Sequence, residues 1–222
     1  MSPFFFSNAK YTSTIIHLLI LAHRSLASGP VDPTQGFVSL PLNRSNYNIQ
    51  KPYDVPEDQR YSFSDGVHKC WVYSTDKPHT RTSLTKPRTE IAIHGYNYSS
   101  GVWQFEGYGY VPAGTSGVCV MQVFGASPHA TTFMLRVYNG SLMYYRSQVL
   151  VDEIYNKWFR LNVIHDVDGS KVKVCIDGYL KLEADGREGT SHAFKCGVYA
   201  QDDDSFYMES RWRGIKVLRK NR

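Results

Sequence analysis

Phe133-Met134-Leu135-Arg136-Val137-Tyr138-Asn139-Gly140-Ser141-Leu142-Met143-Tyr144-Tyr145-Arg146 reads as two apolar strands joined by a two-residue turn. Asn-Gly is the pair that best tolerates the positive φ angles of a type I′ hairpin, the turn whose twist matches that of paired strands. Working outward, the same grammar recurs. Trp158 to His165 alternates, with Phe159, Leu161 and Val163 on one face. Asp168-Gly169 turns the chain into Lys171 to Ile176, and Asp177-Gly178 turns it again into Tyr179 to Leu182. Upstream, His68 to Tyr73, Arg88 to His94, Val102 to Val111 and Val118 to Phe124 are strand-like. Phe194 to Gln201 and Met208 to Leu218 close the chain. No helical period of any length appears. Short strands at this spacing, separated by Gly, Asp and Asn turns, predict an all-β antiparallel β-sandwich of the jelly-roll kind, with a concave groove on one sheet.

The 222 residues suit one domain, and 14% aromatic content with 16 Tyr and 11 Phe favours strands. Residues 1–27 carry no acid. Their apolar stretch, Ile15 to Ala22, is too short to span a bilayer, and Ser25-Leu26-Ala27 offers small residues for cleavage, so 1–27 is expected to be a signal peptide. Residues 28–56, with five prolines, read as an extended N-terminal segment with one strand near Phe37 to Leu40. Residues 57–222 read as the jelly-roll domain. Loss of Lys10 and Arg24 with the leader takes the formal charge from +5 to +3. That mild excess suits an acidic ligand and lacks the Lys/Arg stripe of a nucleic-acid binder. A secreted monomer is expected, in the cell wall or extracellular space or in a vacuole, with no membrane span.

Sequons at Asn43-Arg44-Ser45, Asn97-Tyr98-Ser99 and Asn139-Gly140-Ser141 fit the secretory route and a glycoprotein. Cys70, Cys119, Cys175 and Cys196 allow zero to two disulfides. Strand parity sets Cys119 and Cys196 on the faces opposite the polar residues of their strands, which makes them candidate neighbours. The histidines show no metal-ligand spacing, and no phosphate loop, nucleotide motif or catalytic triad is present, so neither a metal nor a cofactor is expected.

Alternation also selects candidate site residues. Arg88, Glu90 and Ala92 share one face, with His94 continuing it. Gln122 and Phe124 share a face, and so do Lys195, Gly197, Tyr199 and Gln201. Parity alone does not show that these three faces coincide. Trp103, Tyr108 and Tyr110 are read mainly as core.

Those same segments carry a resemblance. Arg88-Thr89-Glu90-Ile91, Gln122-Val123-Phe124 and Phe194-Lys195-Cys196-Gly197-Val198-Tyr199-Ala200-Gln201 resemble the three motif blocks of polysaccharide lyase family seven, the alginate lyases. Lys51 to Pro56, Gly66 to Lys69, Trp71 to Asp76 and Tyr207 to Trp212 resemble the plant citrate-binding proteins built on that concanavalin-like domain. The resemblance implies a ligand such as citrate or a uronic-acid-containing saccharide. By it, Arg88 and Gln122 hold a carboxylate, Tyr199 transfers the proton of a β-elimination, and Glu90, Lys195 and Gln201 complete the site. Two positions depart from the pattern. Phe124 stands where the lyase motif has His, and Ala92 stands where it has a second Arg. Phe124 neither accepts a proton nor binds a carboxylate, so the resemblance implies binding without efficient catalysis. A polyuronate lyase and a cell-wall polysaccharide-binding, lectin-like module are the alternatives. His94 is a further candidate for the missing imidazole.

Overall fold

The computed structural model describes residues 29–221, so the expected leader lies outside the described residues. Strands β1 (Phe37–Leu40), β3 (Tyr61–Ser64), β4 (Val67–Tyr73), β6 (Val102–Tyr110), β11 (Trp158–Asp166), β12 (Lys171–Ile176), β13 (Tyr179–Asp185) and β15 (Tyr207–Lys220) form one sheet. Its order is β13-β12-β11-β6-β15-β4-β3, with β1 on β15. Strands β2 (Tyr47–Gln50), β5 (Arg88–Ile93), β7 (Val118–Phe124), β8 (Thr131–Tyr138), β9 (Ser141–Tyr144), β10 (Gln148–Val151) and β14 (Ala193–Ala200) form the other, in the order β10-β9-β8-β7-β14-β5-β2. All strand pairs are antiparallel. This is the all-β jelly-roll sandwich that the alternating strands predict. Helix among the described residues is limited to two three-residue 3-10 turns.

Asn139 and Gly140 both take positive φ, 49° and 85°, as a type I′ turn requires, and join β8 to β9. Asp177 and Gly178 repeat the device between β12 and β13. Between the sheets lies one apolar core. Phe105, Leu161, Val163 and Trp212 enter it from one side, and Ile91, Met121, Leu135 and Phe194 from the other. On β6 the inward positions 107 and 109 are glycine because the large rings need the room. A Cβ on Gly109 would stand 2.6 Å from the Phe159 ring. A buried polar bridge ties the layers at β14. Trp212 Nε1 donates to Ser210 Oγ (3.1 Å), which donates to the Gly197 carbonyl (2.7 Å).

Three strands escaped the sequence reading: β2, β3 and β10. All three have four residues and lie at sheet edges, where one side faces solvent and the alternation weakens. Parity also misplaced one cysteine. Register shifts between Cys119 and Met121 of β7 against β8, and between Cys196 and Tyr199 of β14 against β7, mark β-bulges. The extra residue on β7 sends both Val120 and Met121 into the core and reverses the alternation beyond them, whereas β14 keeps its register against β5. Cys119 therefore pairs with Tyr199 and Arg136 on the outer side of its sheet, while Cys196 and Cys70 belong to the core. All four cysteines are free, and Cys119 and Cys196 are not neighbours across a common face.

Candidate functional site

The three motif strands are adjacent, in the order β7-β14-β5, so their polar faces do coincide. Two cross-strand rows result. Arg136, Cys119, Tyr199 and Arg88 stand side by side across β8, β7, β14 and β5. Met134, Gln122, Lys195 and Ala92 form the next row. Over them lies a cavity of about 440 Å³, lined among others by Arg88, Gln122, Phe124, Lys195, Tyr199 and Gln201.

Arg88 is 5% exposed and held from several directions. Its Nη1 donates to Glu90 Oε2 (3.2 Å), its Nη2 donates to Thr85 Oγ1 (3.0 Å), and its Cζ lies 3.7 Å from the centre of the Tyr199 ring. Gln122 Nε2 donates to the other Glu90 oxygen at 2.5 Å. Glu90 is fully buried beneath both partners and does not line the cavity. It braces Arg88 and Gln122, and a carboxylate ligand above them would be repelled by it. Lys195 Nζ donates to Gln50 Oε1 (3.1 Å) and lies 4.0 Å from the Phe124 ring centre. Burial pulls the Lys195 ammonium below its usual range, with Glu90 opposing that shift and Arg88 adding to it. Gln201 Nε2 donates to the carbonyls of Tyr199 and Ala200, which fixes its side chain at the rim.

His94 is not part of this cavity. It follows the end of β5, is exposed, and lies 3.4 Å from Asn48 Nδ2 at the sheet edge. The imidazole that does line the cavity is His79, from the loop between β4 and β5. Burial lowers its pKa, and the nearby charges of Arg88 and Lys195 lower it further. Gln50, Thr85 and Arg136 are likewise site residues that motif reading missed. Gln50 sits on an unrecognised edge strand. His79 and Thr85 sit in a loop with no period. Arg136 lies on the recognised hairpin, but only the register of β8 against β7 places it in the Tyr199 row.

Among the described residues, three buried polar atoms in this lining have no protein partner: Arg88 Nε, Arg136 Nε and His79 Nδ1. An unpartnered buried donor costs about 1–3 kcal/mol, more on a charged group. Arg88, Lys195 and Arg136 bring three positive charges against the single buried Glu90. The arrangement is thus receptive to anions. Among the described residues no three His, Cys, Asp or Glu side chains cluster as metal ligands.

Fold and site together define an all-β jelly-roll protein with an anion-receptive cleft on the outer face of one sheet. The chain belongs to the alginate lyase family, whose model matches residues 40–219. It is 54% identical over 191 residues to a citrate-binding protein of Hevea brasiliensis, spanning 86% of this chain and 80% of that one. Solved alginate lyases share the fold at low identity. Alginate lyase A1-II′ in complex with substrate has a TM-score of 0.64 at 13% identity, covering 80% of this chain and 94% of that one. A Corynebacterium sp. alginate lyase has a TM-score of 0.60 at 16% identity, covering 86% and 99%.

Proposed function

We propose that the cleft binds carboxylates, citrate or the uronates of an acidic saccharide, without efficient catalysis. The single observation that carries this reading is that Arg88, Arg136 and Lys195 line one cavity whose lining, among the described residues, includes no Asp or Glu. Guanidinium and ammonium donors form charge-assisted hydrogen bonds with carboxylates, each worth about 1.5–3 kcal/mol. Gln122 and Gln201 add neutral polar groups at the same surface. The Hevea relative's name as a citrate-binding protein supports the same ligand class. Proton abstraction beside a uronate carboxylate calls for a positioned base and acid. Phe124 provides neither at the motif position, which leaves Tyr199 without its usual partner. Secretion, to the cell wall or a vacuole, belongs to this reading as its expected setting.

The second reading, a polyuronate lyase, is favoured by one observation: His79 brings an imidazole into the cavity that holds Tyr199 and Arg88. Calorimetric titration separates binding from its absence. Saturable heat with citrate that weakens about tenfold in Arg136→Ala supports the carboxylate site, and no heat at millimolar citrate overturns it.

A further inference from the structure

The sheet that faces away from the cleft carries a second organised surface. Lys69, Arg211, Tyr110 and Trp158 are direct cross-strand neighbours on β4, β15, β6 and β11. Arg213 and Tyr108 form the adjoining pair. Four strands span about 14 Å. None of these side chains belongs to the core, which β6 meets through Phe105 and the glycines at 107 and 109.

Aromatic rings and cations alternate across this face. The Arg213 guanidinium lies 4.4 Å from the Trp158 ring centre and 5.7 Å from that of Tyr108. Arg211 lies 5.1 Å from Tyr110, and Lys69 lies 5.1 Å from Trp71. Tyr110 and Trp158 are 5.4 Å apart. The acid that serves the patch is hidden: Glu209 is 4% exposed and accepts from Arg211 Nε at 2.6 Å. Arg213 is exposed and forms no ion pair among the described residues. The surface therefore shows solvent aromatic rings and positive charge, with Glu209 covered by Lys69 and Arg211 on the same face, while Arg160 beside Tyr108 is paired with buried Glu106 and exposed Asp32.

We propose that this face is a second binding surface, for an acidic, uronate-bearing polysaccharide. A pyranose presents an apolar C–H face that stacks on Tyr or Trp. The uronate carboxylate at its edge meets a guanidinium that already lies over a neighbouring ring. The charge pattern selects this occupant. Nucleic acid carries a phosphate at every step and calls for a dense basic stripe, whereas here Lys69 and Arg211 are half-engaged by Glu209. A two-fold dimer through this face would set like charges around Arg213 against their own copies. The assignment stands independently of what the cleft binds.

Affinity electrophoresis through gels containing polygalacturonate or polyglucuronate tests it, with a neutral glucan and single-stranded DNA as controls. Wild-type protein is expected to be retarded by the polyuronates alone. Arg213→Ala and Tyr108→Ala, both at exposed positions, are expected to weaken that retardation about fivefold to tenfold. Their melting temperatures and citrate binding should stay unchanged, while Arg136→Ala in the cleft should keep the retardation. The proposal is overturned by the absence of retardation, by retardation indifferent to both substitutions, or by equal retardation on glucan or DNA. A dimer in sedimentation that dissolves in Arg213→Ala would also overturn it, because the face would then join two copies of the chain.

Discussion

The Lys195 ammonium lies 4.0 Å from the centre of the Phe124 ring, at the position where the lyase motif has an imidazole. A cation over a ring face is a favourable contact, worth about 0.5–2 kcal/mol with desolvation. It also holds the ammonium at the cavity wall in place of a proton-transfer group. The motif position thus serves charge placement.

Glu90 braces the cleft from below. Glu90→Gln keeps its shape and removes its charge, leaving Arg88 without a buried counter-ion. The expected cost to stability is about 3 kcal/mol, by the usual penalty for breaking a buried pair. Citrate should then bind several-fold tighter, because the ligand no longer competes with a carboxylate beneath it. Thermal melts with and without citrate check both. Weaker binding in this variant would show that Glu90 instead shapes the cleft for its ligand.

Gly197 has φ +141°, and a Cβ there would lie 2.3 Å from the Thr89 carbonyl oxygen of the next strand. This glycine sits between Lys195 and Tyr199, where β14 bulges against β7. Gly197→Ala is expected to destabilise the fold by more than about 1 kcal/mol and to weaken citrate binding as well. Denaturant unfolding and titration on the same preparation test the coupling. A variant of native stability and affinity would contradict it.

His165 and His68 are buried, and desolvation lowers each to about 4. His165 also faces His192, with ring centres 4.6 Å apart. The unfolded chain, with ordinary histidines near pH ~6.5, binds more protons than the folded one between these limits. Stability contributed by the neutral rings is therefore complete above pH ~6.5 and is lost as pH falls toward about 4. The loss is on the order of 3 kcal/mol per histidine. Unfolding midpoints measured across that range should fall with acid, and His165→Phe should flatten part of the slope. A midpoint independent of pH through this window would refute the assignment.

Arg136 shares the Tyr199 row yet lies three strands from Arg88. Arg136→Ala should weaken citrate binding about tenfold, the loss of one charge-assisted contact, while changing stability little because the side chain is only partly buried. It should affect acetate, with a single carboxylate, much less. Equal loss for both ligands would place the two arginines on one carboxylate.

The motif strands were legible because each carries alternation, and Arg88, Gln122, Lys195 and Tyr199 fall on the correct faces. Their meeting was not legible, since it depends on the strand order β7-β14-β5. Cys119 and His94 show where parity stops. The bulge on β7 turned the first to the cleft side, and the end of β5 released the second to solvent. Gln50, His79 and Thr85 come from an edge strand and a loop, which have no period to read. Tyr108 and Tyr110 looked like core because they are aromatic in a strand. The inward glycines beside them send both rings outward.

Carboxylate binding without turnover of a uronate distinguishes this cleft from that of an active lyase. The direct measurement follows unsaturated product by ultraviolet absorbance, with purified protein on a panel of alginate, glucuronan and polygalacturonate, beside a Tyr199→Phe control. No product is expected from either protein on any polymer, together with saturable citrate binding by the same preparation. Product that forms with the wild type and disappears in Tyr199→Phe would contradict it and make the protein an active lyase despite Phe124.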